Sequence, residues 1–286
     1  MSVRILALRL ALAGWLGGAA LWPVQADTID TAKSSHTFTI GYRRDAAPFS
    51  SKAADGKPTG YSVALCVEIA NAVAKNAKIK DLKIQFAAVT AENRFTQLTG
   101  GKIDILCEGT SITIGRMATI DFTLETFVSG ASLMLRTDQK IANLNDLAGK
   151  KIGVLGKTTT APALRVTLKQ RKITAEVVEF SSHDAGLAAL EDKSVDAYFA
   201  DRELLVGLQA RAKNPKNLAV ADDYMTNEPY ALAIRQNDYL LKQIANLTLS
   251  RLYRSGRIGD IFRAAFSGRE PSTMLKALYI LNGIRE

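Results

Sequence analysis

The chain has 286 residues, of which 37 are basic and 28 acidic, for a net charge of +9. The basic residues are scattered rather than gathered into a tail or an aromatic-interleaved stripe. This ranks nucleic acid and membrane surfaces last among partners and leaves solubility, or the steering of small anions, as the use of the charge. Two cysteines and two histidines are too few for a metal cage at any known ligand spacing, so no metal or other cofactor is expected.

Arg4 and Arg9 precede an uncharged stretch from Leu10 to Val24, and Val24-Gln25-Ala26 places small residues at the two positions a signal peptidase reads. Residues 1–26 are expected to be an export signal. A membrane anchor is the rival, but the stretch falls short of the ~20 residues a span needs and is broken by Gly14, Gly17, Gly18 and Pro23. No cysteine lies near the cleavage point, which argues against a lipid anchor. Cleavage leaves 260 residues and, with Arg4 and Arg9 gone, a charge of +7. That length suits one large domain or two lobes of about 100–150 residues. In an oxidising compartment Cys66 and Cys107 form one disulfide; the alternative is two buried thiols.

A polar leader (27–35) is followed by a strand at Phe38–Tyr42 and a loop carrying Pro48, Gly56, Pro58 and Gly60. Ser62 is placed to cap a helix whose Leu65, Ile69 and Val73 share a face, with Cys66 beside it. Leu82–Val89 reads as a strand, Glu92–Leu98 as a short helix, and Ile103–Cys107 as a strand. The order predicts parallel α/β layers. The same grammar restarts with a strand at Lys151–Leu155, a helix at Thr159–Gln170 and a strand at Glu176–Phe180. A helix at Asp184–Leu190 and a strand at Val195–Ala200 complete it. Leu98 to Ile103-Asp104 and Leu190 to Val195-Asp196 share one helix-to-strand spacing, consistent with two similar lobes. The extended segments 131–136 and 229–235 are expected as a hinge crossing and a hinge return. Lobe 1 then comprises 36–130 and 236–286, and lobe 2 comprises 137–228. The last part reads as helices, with a stripe of Leu240, Ile244 and Leu247, a stripe of Ile258, Ile261, Phe262 and Ala265, and a final helix following Pro271.

An ordered series of motifs runs through the chain: Gly41-Tyr-Arg-Arg-Asp-Ala-Ala-Pro-Phe49, Gly60-Tyr-Ser62, Glu92-Asn-Arg94, Asp104 through Arg116, Asp121-Phe-Thr123 and Tyr198 through Leu205. The series resembles the family 3 bacterial extracellular solute-binding proteins, and within them the periplasmic glutamate/aspartate-binding proteins of ABC transporters. The resemblance covers essentially all of the mature chain. It implies a type II periplasmic-binding-protein fold, two α/β lobes joined by two hinge strands. Such a protein closes on one amino acid, performs no chemistry, works in the periplasm and delivers its ligand to an inner-membrane permease, with a monomer as the default for a shuttle.

The resemblance also implies a ligand set. Arg116 stands at the clamp for the ligand's α-carboxylate, where a guanidinium fork fits bidentately; a surface arginine is the structural alternative. Asp201 takes the α-ammonium, with a helix N-cap as its alternative. Arg43, Arg94 and His183 match positions around a side-chain carboxylate, an arrangement that selects acid over amide by charge. As plain structure, the two arginines would be solvated surface and His183 a helix cap. Thr110 and Ser111 offer hydroxyl and backbone donors. Lys157-Thr-Thr-Thr160, with Pro162 near a first helical turn, aims backbone N–H groups at an anion, so Thr158 and Thr159 are assigned to the α-carboxylate from the second lobe. Three residues depart from the family pattern: Ala91 and Gly109 replace serines, losing roughly 1 kcal/mol per hydroxyl, and Lys157 replaces a glycine. Cys66, on the first long helix, and Cys107, at the end of the strand packed beside it, are placed for a bridge.

An exported dehydratase acting on a prephenate-like dicarboxylate is the competing class, since it too suits an arginine-lined cleft. It needs a poised carboxylic acid, and Glu92 and Glu108 lie near the right strands without any mark of catalysis. A sensor that reports to a receptor is a third reading.

Overall fold

The structure, a computed structural model, describes residues 27–141 and 144–285. The expected export signal, 1–26, lies outside the described residues. Two five-stranded sheets organise the rest. The first is built from β1 (Thr37–Arg43), β5 (Lys83–Val89), β6 (Ile105–Ser111), β7 (Ile120–Ser129) and β13 (Glu228–Arg235), in the order β5-β1-β6-β13-β7. The second is built from β8 (Ala131–Arg136), β9 (Lys151–Leu155), β10 (Glu176–Phe180), β11 (Ala197–Asp201) and β12 (Leu218–Val220), in the order β10-β9-β11-β8-β12. A ribbon of β2 (Asp45–Ala46), β3 (Ser50–Lys52) and β4 (Pro58–Thr59) follows β1.

The two sheets share one plan. β1 runs parallel to β5 and β6, and β9 runs parallel to β10 and β11, while β13 and β8 are antiparallel to their neighbours. Each sheet is therefore mixed rather than purely parallel, because one strand enters it from the opposite direction. The segments expected as hinges are these strands: 131–136 is β8 of the second sheet, and 229–235 lies in β13 of the first. The backbone passes between sheets at Gly130 and again across 221–227.

The short helix-to-strand spacing shared by the two halves has a structural counterpart. The Asp104 N–H donates to the Thr39 carbonyl at 2.8 Å, and its carboxylate accepts the Thr39 N–H at 2.7 Å. Asp196 does the same with Lys151, at 2.8 and 2.9 Å. Arg235, at the end of β13, donates to the carbonyls of Leu98 and Ile103 at 3.4 and 2.8 Å. Arg136, at the end of β8, donates to those of Leu190 and Val195 at 2.9 and 2.6 Å. The same device thus stitches helix end, strand start and antiparallel strand together in both sheets, leaving few backbone groups of the tight turn unpaired.

Helices cover both faces. On the first sheet α2 (Tyr61–Ala77) buries Tyr61, Leu65, Ile69 and Val73, and Lys78 at φ 57° ends it in a left-handed cap. Ser62 does not cap this helix; Gly60 holds the N-cap position, and Ser62 Oγ donates to the Glu108 carbonyl at 2.9 Å, tying α2 to β6. Cys66 and Cys107 form a disulfide across the same contact, with Cα atoms 6.4 Å apart. The supposed leader is helix α1 (Thr28–Ser35), capped by Asp27 and packed through Ile29 and Ala32 into the first core. Its few apolar residues are too short a run to show a period, but Thr28 bonds Asp238 and Arg235 and anchors it.

After β13 the chain returns as α8 (Tyr239–Ser255), α9 (Arg257–Ala265) and α10 (Thr273–Asn282), all against the first sheet. The buried face of α8 is Leu241, Ile244, Ala245 and Leu249; of the expected stripe Ile244 is buried, Leu247 is half-buried and Leu240 is exposed. Ser272 caps α10, which follows Pro271 as expected. The second sheet carries α5 (Thr160–Gln170), α6 (His183–Glu191) and α7 (Arg202–Arg211). Its central strand β11 is wholly buried, as a strand covered on both faces must be. Short helices α3 (Arg94–Thr99) and α4 (Ile114–Met117) complete the first sheet's connections.

Candidate functional site

The strand directions decide where a site forms. In both sheets the parallel strands end facing the same cleft, and side chains just beyond their carboxyl ends meet there. Arg43 ends β1, Glu108 to Ser111 end β6, Thr158 and Thr159 follow β9, His183 follows β10, and Asp201 ends β11. A cavity of about 30 Å³ lies between them, lined among others by Arg43, Arg94, Glu108, Arg116, His183 and Asp201. Ser111, Thr158 and Thr159 line it as well. Thr110 does not; it is buried beside the cavity and its Oγ1 donates to Glu108 at 3.1 Å.

Arg43 and Arg94 are not solvated. Both are buried, and both meet a carboxylate. Arg43 makes a fork to Asp45, with Nε at 2.9 Å and Nη2 at 2.7 and 2.9 Å from its oxygens. Arg94 Nε sits 2.8 Å from Glu108 Oε1 but outside hydrogen-bond alignment, and the second Glu108 oxygen is 3.6 Å from Arg43 Nη1. Arg94 also donates from Nη2 to the Lys157 carbonyl at 3.0 Å and from Nη1 to Ala91. Burial and then the neighbouring Arg43 charge pull the Arg94 pKa down, against the pull of Glu108.

His183 is a correction to the charge expected of this pocket. Burial, followed by the charge of Arg43, holds its pKa at about 3, so the imidazole is neutral at physiological pH. Its ring Nδ1 meets the Tyr198 hydroxyl at 3.0 Å, and its backbone N–H donates to Asp45 at 2.8 Å. Asp45, in the ribbon, therefore links Arg43 at the end of β1 to the start of α6 on the second sheet. Burial raises the Asp45 pKa, but Arg43 and His183 outweigh it and hold the carboxylate below its ordinary range.

The remaining pair is unlike these. Arg116 is half-buried, donates from Nη1 to the Ser111 carbonyl at 2.6 Å and stacks 5.2 Å from the Phe95 ring. Among the described residues no carboxylate forms an ion pair with it, and burial, then the Arg94 charge, lower its pKa. Asp201 holds the N-cap position of α7 without using its side chain there. One oxygen accepts the Tyr230 hydroxyl, and the other is buried without a partner. Burial, then the nearby Glu228, raise the Asp201 pKa to about 7.

Thr159 Oγ1 donates to Glu228 at 3.1 Å and meets Ser111 Oγ at 3.4 Å, a contact that crosses the cleft. Thr158 Oγ1 donates to the Leu155 carbonyl at 2.6 Å and so shapes the turn before α5. Of the departures from the family pattern the structure explains Gly109 and gives no reason for the lysine at 157. A Cβ on Gly109 would lie 2.6 Å from Tyr230 Cε2, so a larger residue would push against the tyrosine that holds Asp201. Lys157 has φ 59°, the left-handed region that favours glycine. Its ammonium points outward, 3.7 Å from Glu92 in an exposed pair, rather than into the cavity. Asp45, Glu108 and Glu228 were not assigned to the site from sequence; Glu108 was weighed only as an enzyme's acid. Alternation from Cys107 could have placed Glu108 beside Thr110, but nothing local reveals that Arg43 and Arg94 converge on it.

The residues from 38 to 268 match the model of the bacterial extracellular solute-binding proteins, family 3. The chain belongs to that family. An L-glutamate/L-aspartate-binding protein of Pseudomonas aeruginosa is 28% identical over 250 residues, covering 86% of this chain and 83% of its own. A glutamate/aspartate import solute-binding protein of Escherichia coli is 26% identical over 281 residues, covering 98% and 93%. Among solved structures, an ancestral amino acid-binding protein that is a precursor of cyclohexadienyl dehydratase superposes with a TM-score of 0.72 at 25% identity, covering 84% of this chain and 100% of its own. The two-lobed, mixed α/β architecture is that of the type II periplasmic-binding proteins.

Proposed function

We propose that the protein captures an acidic amino acid, L-glutamate or L-aspartate, between its lobes in the periplasm and delivers it to the permease of an ABC importer. The observation that carries the amino-acid part is a pair of unspent charges facing one cavity: among the described residues Arg116 has no carboxylate ion pair, and Asp201 keeps one buried oxygen unbonded. They are complementary to an α-carboxylate and an α-ammonium, and each is costly to leave unmatched in a buried site. Ser111 and Thr159 add hydroxyls from opposite sides of the cleft. The acidic side chain is supported by the two guanidinium groups at the other end of the cavity and by the names of the relatives. Because lining residues come from both sheets, a ligand held by both would favour the closed arrangement, which couples binding to lobe movement.

We read the chain as a binder that performs no chemistry. A dehydratase needs a carboxylic acid free to deliver a proton, whereas Glu108 engages Arg94, Arg43 and Thr110. Isothermal titration of the ligand-stripped mature protein against glutamate, aspartate, glutamine, asparagine and arginine tests the proposal. Micromolar or tighter binding of glutamate or aspartate (about −8 kcal/mol or stronger) is expected. Silence towards every amino acid, with loss of the ring chromophore of prephenate, would replace it with the enzyme reading.

A further inference from the structure

The Arg43 and Arg94 end of the cavity is electrically complete without a ligand. Two guanidinium groups face two carboxylates, Asp45 and Glu108, and the adjacent His183 is neutral. The two carboxylates are held differently. Asp45 receives three directed bonds from Arg43 and a fourth from the His183 N–H. Glu108 accepts one hydroxyl, from Thr110, while its 2.8 Å approach to Arg94 Nε lacks hydrogen-bond alignment and its approach to Arg43 is 3.6 Å. Glu108 is thus held mainly by charge, and Asp45 by geometry.

We propose that Glu108 is an internal counter-anion that occupies the side-chain carboxylate subsite, and that an acidic ligand binds by displacing it from Arg94. This rests on the acidic-ligand reading given above. Glu108 lines the cavity and carries the charge that competes. Its backbone is held by Ser62, which bonds its carbonyl, and by the pairing of Cys107 and Thr110 on either side of it, so the exchange is a side-chain rotation. Swapping one carboxylate for another, with that of Glu108 turned out of the cavity into water, keeps the guanidinium groups matched, whereas adding a third carboxylate to this end would leave an unpaired buried anion. Glu108 therefore sets the selectivity: it lowers the advantage of an acidic over an amide side chain that two bare arginines would confer.

The test is the ratio of glutamine to glutamate Kd by titration for the wild type, Glu108→Gln and Thr110→Val. Glu108→Gln removes the competing charge at constant size and is expected to tighten glutamate roughly tenfold or more, an unpaired buried guanidinium being costly, while glutamine changes little. Thr110→Val keeps the charge but removes the hydroxyl that holds it, and shifts the ratio in the same direction by a smaller factor. Circular dichroism and a thermal melt establish that both variants are folded; if Glu108→Gln does not fold, Thr110→Val decides alone. Unchanged or weakened glutamate binding in the folded variants would overturn the proposal, because Glu108 would then be positioning the arginines rather than competing for them. A wild type that binds no acidic amino acid, with Glu108→Gln that does, would uphold the counter-anion and refute acidic capture by the natural chain.

Discussion

Asp201→Asn offers the sharpest separation of ligand binding from stability. The carboxylate is buried, one of its oxygens has no partner, and its pKa stands at about 7 against an ordinary 3.8. The native state therefore holds this proton more tightly than the unfolded chain. The stability it contributes is present at low pH and is lost as pH rises through about 7. Three pKa units at about 1.4 kcal/mol each put the loss near 4 kcal/mol as an order-of-magnitude ceiling. A ligand ammonium needs the ionised form, so between pH 7 and pH 5 wild-type affinity is expected to fall about 50-fold, approaching one decade per unit at the acid end. Binding in that range should release a proton, which titration in buffers of different ionisation enthalpy would count. Asp201→Asn should bind amino acids weakly at every pH and lose the pH dependence. Without ligand it should melt above the wild type at pH 8, since the buried charge has gone. A wild-type affinity that is flat from pH 5 to 8, or a variant that melts lower at pH 8, would refute both the ammonium role and the titration behind it.

Replacing Arg116 by Met should weaken glutamate, aspartate and glutamine alike by about 2–5 kcal/mol in titration, the cost of truncating one partner of a buried charge pair; a loss confined to acidic ligands would move Arg116 to the side-chain end. Gly109→Ser should cost about 1–3 kcal/mol in denaturant unfolding through overpacking against Tyr230. It should also weaken binding, because the displaced ring carries the hydroxyl bonded to Asp201. A silent variant would mean that Tyr230 is free to shift. The Cys66–Cys107 bridge joins residues 41 apart, so removing it with the double change Cys66→Ala and Cys107→Ala should destabilise the first lobe by about 4 kcal/mol on the chain-entropy estimate. Equal melting temperatures with and without reductant would show that the bridge contributes nothing.

Local periodicity and composition carried much of the architecture. Lys151–Leu155, Glu176–Phe180 and Ala131–Arg136 were legible to the residue because each is an apolar run bounded by turn or charged residues. The face of α2 was legible because 17 residues give the helical period room to repeat. Eight of the nine expected site residues line one cavity, as an ordered series of family motifs allowed. Short α1 failed this reading because it has too few apolar residues to show a period, and in the longer α8 Leu241 faces the core in place of Leu240 because the two neighbours are chemically alike.

What only the tertiary structure decided is the state of the charges. Sequence shows that Arg43, Arg94 and His183 exist, but a charge takes its effect from distance and burial, which depend on residues far away in the chain. Asp45 and Glu108 neutralise the arginines, desolvation removes the charge of His183, and Asp201 retains an unmatched oxygen because Tyr230 reaches only one side of it. The chain alone determined the alternation of strands and helices, since propensity and period act over a few residues, while the two lobes were implied by the family resemblance. Which cations are spent and which remain for a ligand was settled only when strands from both sheets ended at the same cleft.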